Sequence, residues 1–256
     1  MLYLRIVLYY KSLGDGPPLI ILHGLFGSGD NWRTIGKDLA KDYQVILVDQ
    51  ANHSRSPWTT TWSYDQAAED IVAVMDDLDL EKAHVLGHSM GGKVALTLAQ
   101  MYSSRVDNLI VVDIAPKSYQ RGHDLIFEAV FDLDFGQITS RSEADSALAT
   151  RIDSPMVRQF ILKSLARDPE HGWRWKTNFQ LLYDTYDEMV GEVAADKIIH
   201  PTLFVRGGRS IYVSDEDIKA IKEVMPQVEV TTIEAGHWIH AERPQELLSA
   251  IRSFLR

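Results

Sequence analysis

Short apolar runs alternating with helix-like patterns constrain this chain more than any other feature. Leu19-Ile20-Ile21-Leu22 and Val45-Ile46-Leu47-Val48 are unbroken aliphatic runs, as strands buried on both faces require. Between them Trp32, Ile35 and Leu39 recur at helical spacing. Ala83-His84-Val85-Leu86, Leu109-Ile110-Val111-Val112, Leu203-Phe204-Val205 and Val228 to Ile233 continue the series. Tyr64 to Leu80 reads as an amphipathic helix with Ile71, Val74, Met75 and Leu78 on one face. The alternation predicts an α/β fold, a mostly parallel central sheet flanked by crossover helices. Met1 to Tyr10, apolar but broken by Arg5, reads as a first strand; a secretory leader would keep its apolar stretch unbroken.

The alternation fails between Lys117 and Asp196. That stretch reads as helical throughout, in segments His123 to Leu133, Glu143 to Arg151, Pro155 to Ala166 and Trp173 to Met189. Ser140 and Glu143 form a capping-box pattern within it. The predicted organisation is a core of residues 1–116 and 197–256 with a helical cap inserted at 117–196. The cap is expected over the carboxyl edge of the sheet, where ligands of open α/β sheets bind.

Composition narrows the chemistry. The absence of cysteine removes disulfides, thiolate nucleophiles and Cys-ligated metal sites. With 26 basic against 36 acidic residues, a net charge of −10 and no basic run, nothing favours a nucleic acid partner. No segment approaches the ~20 apolar residues of a membrane span. The expectation is a cytoplasmic protein without metal or cofactor, a monomer or small homo-oligomer, acting on a small molecule.

Gly87-His88-Ser89-Met90-Gly91 fits the pattern G-x-S-x-G. An apolar strand precedes it, and Val94, Leu96, Leu98 and Met101 continue it as a helix. A serine nucleophile needs that strand–turn–helix context, because the turn is tight and the hydroxyl must stand exposed at its apex. The plainer reading is an ordinary glycine-rich connection. An acyl-transfer site also needs two backbone N–H groups aimed at the oxyanion. Met90, directly after Ser89, is one expected donor. His23-Gly24-Leu25-Phe26-Gly27, directly after the first apolar run, offers Leu25 as the second, with Phe26 as runner-up.

Nine histidines compete for the base. His88 is expected to point away from the reacting atoms, His23 to support the oxyanion loop, and His123, His171 and His200 to lie in or beside the cap. Gly236-His237-Trp238 follows the last strand pattern and precedes the final helix, so its loop reaches the edge that carries Ser89. His237 is therefore the expected base, with His240 its rival. The acid in this order of elements usually follows the strand after the cap. Here that turn reads Arg206-Gly207-Gly208-Arg209-Ser210, without a carboxylate, and Asp215 comes later. Asp113 ends the strand that follows the nucleophile's helix and is the expected acid, with Ser210 as a hydrogen-bonding neighbour. The plainer reading has Asp113 capping the start of the insertion.

With these motifs placed, the chain resembles the α/β-hydrolase superfamily over nearly its full length, and within it the bacterial YbfF-type esterases. The matching segments are His23 to Ser28, Asp30-Asn31-Trp32, Asp49 with Asn52-His53 and Ser56, His88 to Lys93, Asp113 to Pro116, Tyr212-Val213-Ser214 and Gly236 to Glu242. The resemblance implies carboxylester hydrolysis, extending to acyl thioesters, and supports Asp113 as the acid. Ala51 and Ser54 depart from it, standing where the family tends to have Arg and Gly; altered loop support is the expected consequence. The expected activity is hydrolysis of short- to medium-chain acyl esters through an acyl-enzyme on Ser89, with Phe26 and Trp238 touching substrate. The rivals are a carbon–carbon bond hydrolase or lyase, a perhydrolase, and a non-catalytic ligand receptor of the same fold.

Overall fold

Side chains alternate along the strands, and that alternation divides the interior into two layers. The structure is a computed structural model describing residues 7–170, 172–225 and 227–256. Seven strands form the main sheet: β1 (Tyr10–Leu13), β2 (Pro18–Leu22), β3 (Gln44–Val48), β4 (Ala83–His88), β5 (Val106–Val112), β8 (Thr202–Gly207) and β9 (Glu229–Ile233). Their spatial order is β1-β3-β2-β4-β5-β8-β9, with β1 antiparallel to β3 and the other pairings parallel. Ile20, Leu22, Ile46, Val85 and Val111 face one layer, completed by α2 (Tyr64–Asp77) and α3 (Met90–Met101). Leu19, Ile21, Val45, Leu86 and Val112 face the other, completed by α1 (Arg33–Leu39) and, near the chain end, α11 (Pro244–Phe254). Continuous apolar runs are what two-sided burial demands.

Most of the expected first strand, residues 1–6, lies outside the described residues. Among the described residues strand pairing runs from Tyr10 to Leu13, so of the expected element's described part only Tyr10 belongs to β1. The polar Lys11 and Ser12 suit this edge position.

Register sets where the loops emerge. Leu22 pairs with Gly87, His88 with Val112, and Val112 with Val205. The residues following β2, β4, β5 and β8 therefore reach one edge together. Four distant segments meet there because parallel strands all end on the same side.

Between β5 and β8 the chain folds as α4 (Asp124–Phe131), α5 (Arg141–Leu148), α6 (Pro155–Leu162), β6 (Leu165–Asp168), β7 (Gly172–Trp175), α7 (Phe179–Asp184) and α8 (Tyr186–Val190). The all-helical expectation is corrected here, since β6 and β7 form an antiparallel hairpin. Trp173-Arg174-Trp175 alternates with period two, Gly172 adopts a left-handed φ of 78°, and Arg167 lies 3.9 Å over the Trp173 ring. Those features favour a hairpin over a continued helix. Ser140 caps α5 as expected, but the Glu143 carboxylate accepts from the amide of Thr139 instead of that of Ser140. Two backbone bonds close the base of this region, Tyr119 N to Val190 O (2.8 Å) and Val193 N to Pro116 O (2.9 Å). The buried ammonium of Lys93, on α3, donates to the carbonyls of Lys117 (2.9 Å), Gly191 (2.5 Å) and Val190 (3.4 Å) beside them. The rest of the chain adds α9 (Asp215–Val224) and α10 (Ile239–Glu242). Among the described residues no helix is long and apolar enough to cross a membrane.

Candidate active site

Ser89 connects β4 to α3 with φ 53° and ψ −123°, a conformation that side chains other than glycine seldom adopt. The surrounding glycines follow from sterics. A Cβ on Gly87 would lie 2.0 Å from the Gly91 carbonyl oxygen, and one on Gly91 would lie 2.5 Å from the carbonyls of Leu22 and His23. No larger residue fits without moving backbone. The plainer reading, a glycine-rich connection serving packing alone, leaves unexplained why the strained position carries a serine.

Asp113 ends β5, also with a left-handed φ (52°), and is almost completely buried. Its Oδ1 accepts from the Gly207 amide (2.8 Å), and its Oδ2 accepts from the Ser210 hydroxyl (2.5 Å) and from Nδ1 of His237 (2.7 Å). With Nδ1 donating, a neutral His237 ring has Nε2 unprotonated. The Tyr212 ring stacks on His237 at 3.9 Å and 19°, fixing the imidazole plane. The rivals stand elsewhere. Asp215 is three-quarters exposed and paired with Arg206 on the surface (2.7 Å). His240 stacks on Trp32 (4.6 Å), and burial holds it neutral down to about pH 4.

His88 does more than the sequence suggests. Its ring lies 4.7 Å from that of His237, and its Nε2–H donates to the His237 backbone carbonyl (2.9 Å). Burial pushes its pKa well down, so it works here as a neutral donor. Only the fold brings residues 88 and 237 together, and no motif marks the pair. His200 bonds Ser103 at the far end of the sheet, and His171 lies outside the described residues.

The loop after β2 runs against the nucleophile turn: a Cβ on Gly24 would lie 3.1 Å from that of Ser89. Phe26 N donates to Nε2 of His53 (3.2 Å), whose Nδ1–H in turn donates to Ala51 O (2.9 Å). The Phe26 amide is thus already engaged. The amides of Leu25 and Met90 make no hydrogen bond among the described residues. His23 supports the loop as expected, with Nδ1 on Gly24 O (2.8 Å) and Nε2 accepting from Gln50 N (3.0 Å). Full burial lowers the pKa of both histidines, that of His53 to about 3. Asp49, buried beneath, accepts from Gly29 N (2.8 Å) and Arg55 Nε (2.8 Å). Ser54 sits in this support at φ 53°, a conformation that glycine adopts without strain.

Ser89 faces two cavities. One, of about 220 Å³, is lined by Leu25, Met90, Tyr64, Lys93, Ile114, Tyr119, Met189 and Ile211. The other, of about 440 Å³, is lined by Phe26, Trp32, His88, Met156, Phe160, His237, Trp238 and His240. Phe26 and Trp238 both belong to the larger; Phe26 also packs on Phe127 (5.1 Å) and Trp238 on Phe160 (5.5 Å).

Comparison with known proteins gives the family. A sequence profile of the α/β hydrolase fold matches residues 17–244. Over 243 residues the chain is 38% identical to Esterase YbfF of Escherichia coli, across 94% of each protein. It is 34% identical to the sn-1-specific diacylglycerol lipase ABHD11 of Danio rerio, across 96% of this chain and 81% of that one. The solved structure of a marine microorganism esterase superposes with a TM-score of 0.94 at 36% identity, across 97% of this chain and 99% of that one. The chain belongs to the α/β-hydrolase fold family and, within it, to the YbfF-type esterases.

Proposed function

We propose that this protein is a serine carboxylesterase in which Ser89 is the nucleophile, His237 the general base and Asp113 the acid that orients it. The observation that carries the reading is the 2.7 Å bond between His237 Nδ1 and Asp113, in a cavity shared with the strained Ser89. A carboxylate on Nδ1 selects the tautomer whose Nε2 accepts the serine proton, and it stabilises the imidazolium that results. Ser89 then attacks the ester carbonyl while the Leu25 and Met90 amides receive the oxyanion. Imidazolium protonates the departing alcohol, and water repeats the sequence on the acyl-enzyme. Phe26 and Trp238 line the substrate's path. Residues 117–196 act as a cap, supplying Tyr186 and Met189 to one cavity and Met156 and Phe160 to the other.

Short- to medium-chain acyl esters suit cavities of this size, and the thioester of an equivalent acyl group presents the same carbonyl to the same donors. The similarity to proteins named esterase supports ester chemistry over the lyase, perhydrolase and receptor readings. The test is hydrolysis of p-nitrophenyl esters from acetate to palmitate beside Ser89→Ala. Loss of at least about a thousandfold in kcat is expected in the variant. Equal turnover by the two proteins, or none by the wild type on any ester or thioester, refutes the proposal.

A further inference from the structure

The two cavities flanking Ser89 differ in which of them holds the proton donor. The imidazolium must come within about 2.6–3.2 Å of the leaving-group oxygen to protonate it. His237 lines the 440 Å³ cavity and is not part of the 220 Å³ one, whereas Ser89 and Leu25 line both. We infer that the smaller cavity takes the acyl chain and the larger takes the alcohol half, and that the preferred substrate joins an unsubstituted medium-length acyl group to a large, uncharged, hydroxyl-bearing alcohol. This rests on the esterase reading above.

Size sets the scale of the acyl group. A cavity of about 150 Å³ holds a six-carbon ring; scaled to 220 Å³, the acyl side takes roughly nine carbons. On the same scale the 440 Å³ side takes roughly eighteen heavy atoms. The deepest polar groups on the acyl side, on Tyr64, Tyr119 and Lys93, are already engaged. The Tyr64 hydroxyl donates to Met189 O (2.6 Å), the Tyr119 hydroxyl to Tyr212 O (2.7 Å), and the three Lys93 N–H groups point at the carbonyls of Lys117, Val190 and Gly191. A carboxylate or hydroxyl on the acyl chain would have to displace the carbonyls from these donors, which is costly.

The alcohol side is built differently. Beyond the apolar cap wall it reaches Asn31, whose Oδ1 is held by Ser28 N. The Asn31 Nδ2 makes no hydrogen bond among the described residues. Glu242 closes that end, already paired with Arg209 (2.8 Å). Unfilled hydrogen-bonding capacity favours a hydroxylated alcohol, and the carboxylate disfavours an anionic one.

The test uses two exposed rim residues that each line a single cavity: Ile211 (92% exposed) on the acyl side and Met156 (58%) on the alcohol side. For the wild type, octanoate esters should be preferred to the monoester of adipic acid, and octanoyl glucose and 1-octanoylglycerol to ethyl octanoate. Ile211→Trp should lower the octanoate-to-acetate ratio of kcat/KM by about tenfold, the scale of pocket discrimination by a methylene or more. Met156→Trp should lower the octanoyl glucose-to-ethyl octanoate ratio by a similar factor and leave the chain-length ratio within twofold. Crossed effects, with Met156→Trp shifting chain length and Ile211→Trp shifting alcohol choice, overturn the assignment. Preference for ethyl octanoate or for the adipate monoester overturns the substrate class. Both results require ester turnover that Ser89→Ala abolishes, whereas failure of the esterase reading would appear as no such turnover.

Discussion

Asp113→Asn isolates the electrostatic part of the site, because asparagine matches aspartate in shape and also tolerates its left-handed φ of 52°. The hydrogen bonds decide which way the amide turns. Gly207 N donates to the Oδ1 position, so the amide oxygen must stay there and the NH₂ group takes the Oδ2 position. That group then faces His237 Nδ1 at 2.7 Å and the Ser210 hydroxyl at 2.5 Å. Two donors cannot face each other, so Nδ1 must become the acceptor, and a neutral ring then carries its proton on Nε2. In that tautomer the imidazole cannot take the Ser89 proton. The expected loss is about ten-thousandfold in kcat, or roughly 5.5 kcal/mol of transition-state stabilisation, with the fold intact. Ser210→Ala removes one neighbour but leaves Oδ2 accepting from His237, so about tenfold is the expected ceiling. Asp215→Asn should change little, since that carboxylate pairs with Arg206 on the surface. The assay is p-nitrophenyl butyrate hydrolysis with circular dichroism as the folding control. A folded Asp113→Asn retaining more than a tenth of wild-type kcat, or an inactive Asp215→Asn, would refute the reasoning.

Further predictions concern stability. Ser89→Gly should abolish ester hydrolysis while raising stability by about 1 kcal/mol, because relief of ~1–3 kcal/mol of strain outweighs the backbone entropy of glycine. That corresponds to about 2–4 °C in Tm for a domain of this size; an unchanged or lower Tm by calorimetry counts against the strain. Ser54→Gly, at φ 53°, should likewise raise Tm, by about 1–2 °C, without the loss of activity. Acid should destabilise the fold through histidine. Burial lowers His53 to about 3, His123 and His240 to about 4, His88 well below its usual range and His23 in the same direction, so between pH 6 and 4 the unfolded chain binds at least four protons that the folded chain does not. Asp70, raised by burial to about 7, works in the opposite sense by one proton. The net difference of at least three protons makes stability fall by roughly 4 kcal/mol per pH unit over that window. Urea midpoints at pH 7, 6 and 5 measure this, and a midpoint constant from 7 to 5 would contradict it.

Local chemistry made much of this protein legible in its sequence. Continuous aliphatic runs announce strands buried on two faces, and Gly87, Ser89 and Gly91 announce a turn into which no larger flanking residue fits. Both are properties of a few adjacent residues. The absence of a carboxylate from Arg206 to Ser210 was equally plain and directed attention to Asp113. The hairpin at Leu165–Trp175 was not legible, because aromatic residues at short spacing serve a helix face and a strand equally well and pairing across the turn decides between them. Only the tertiary structure joined His88 to the carbonyl of His237, engaged the Phe26 amide with His53, and set Tyr212 flat against the imidazole. Those contacts link residues 25 to 149 positions apart, and the register of parallel strands brings them to one edge. Local propensity sets which segments become strands and turns. Which side chains then meet across the sheet's edge depends on a register that no single segment encodes.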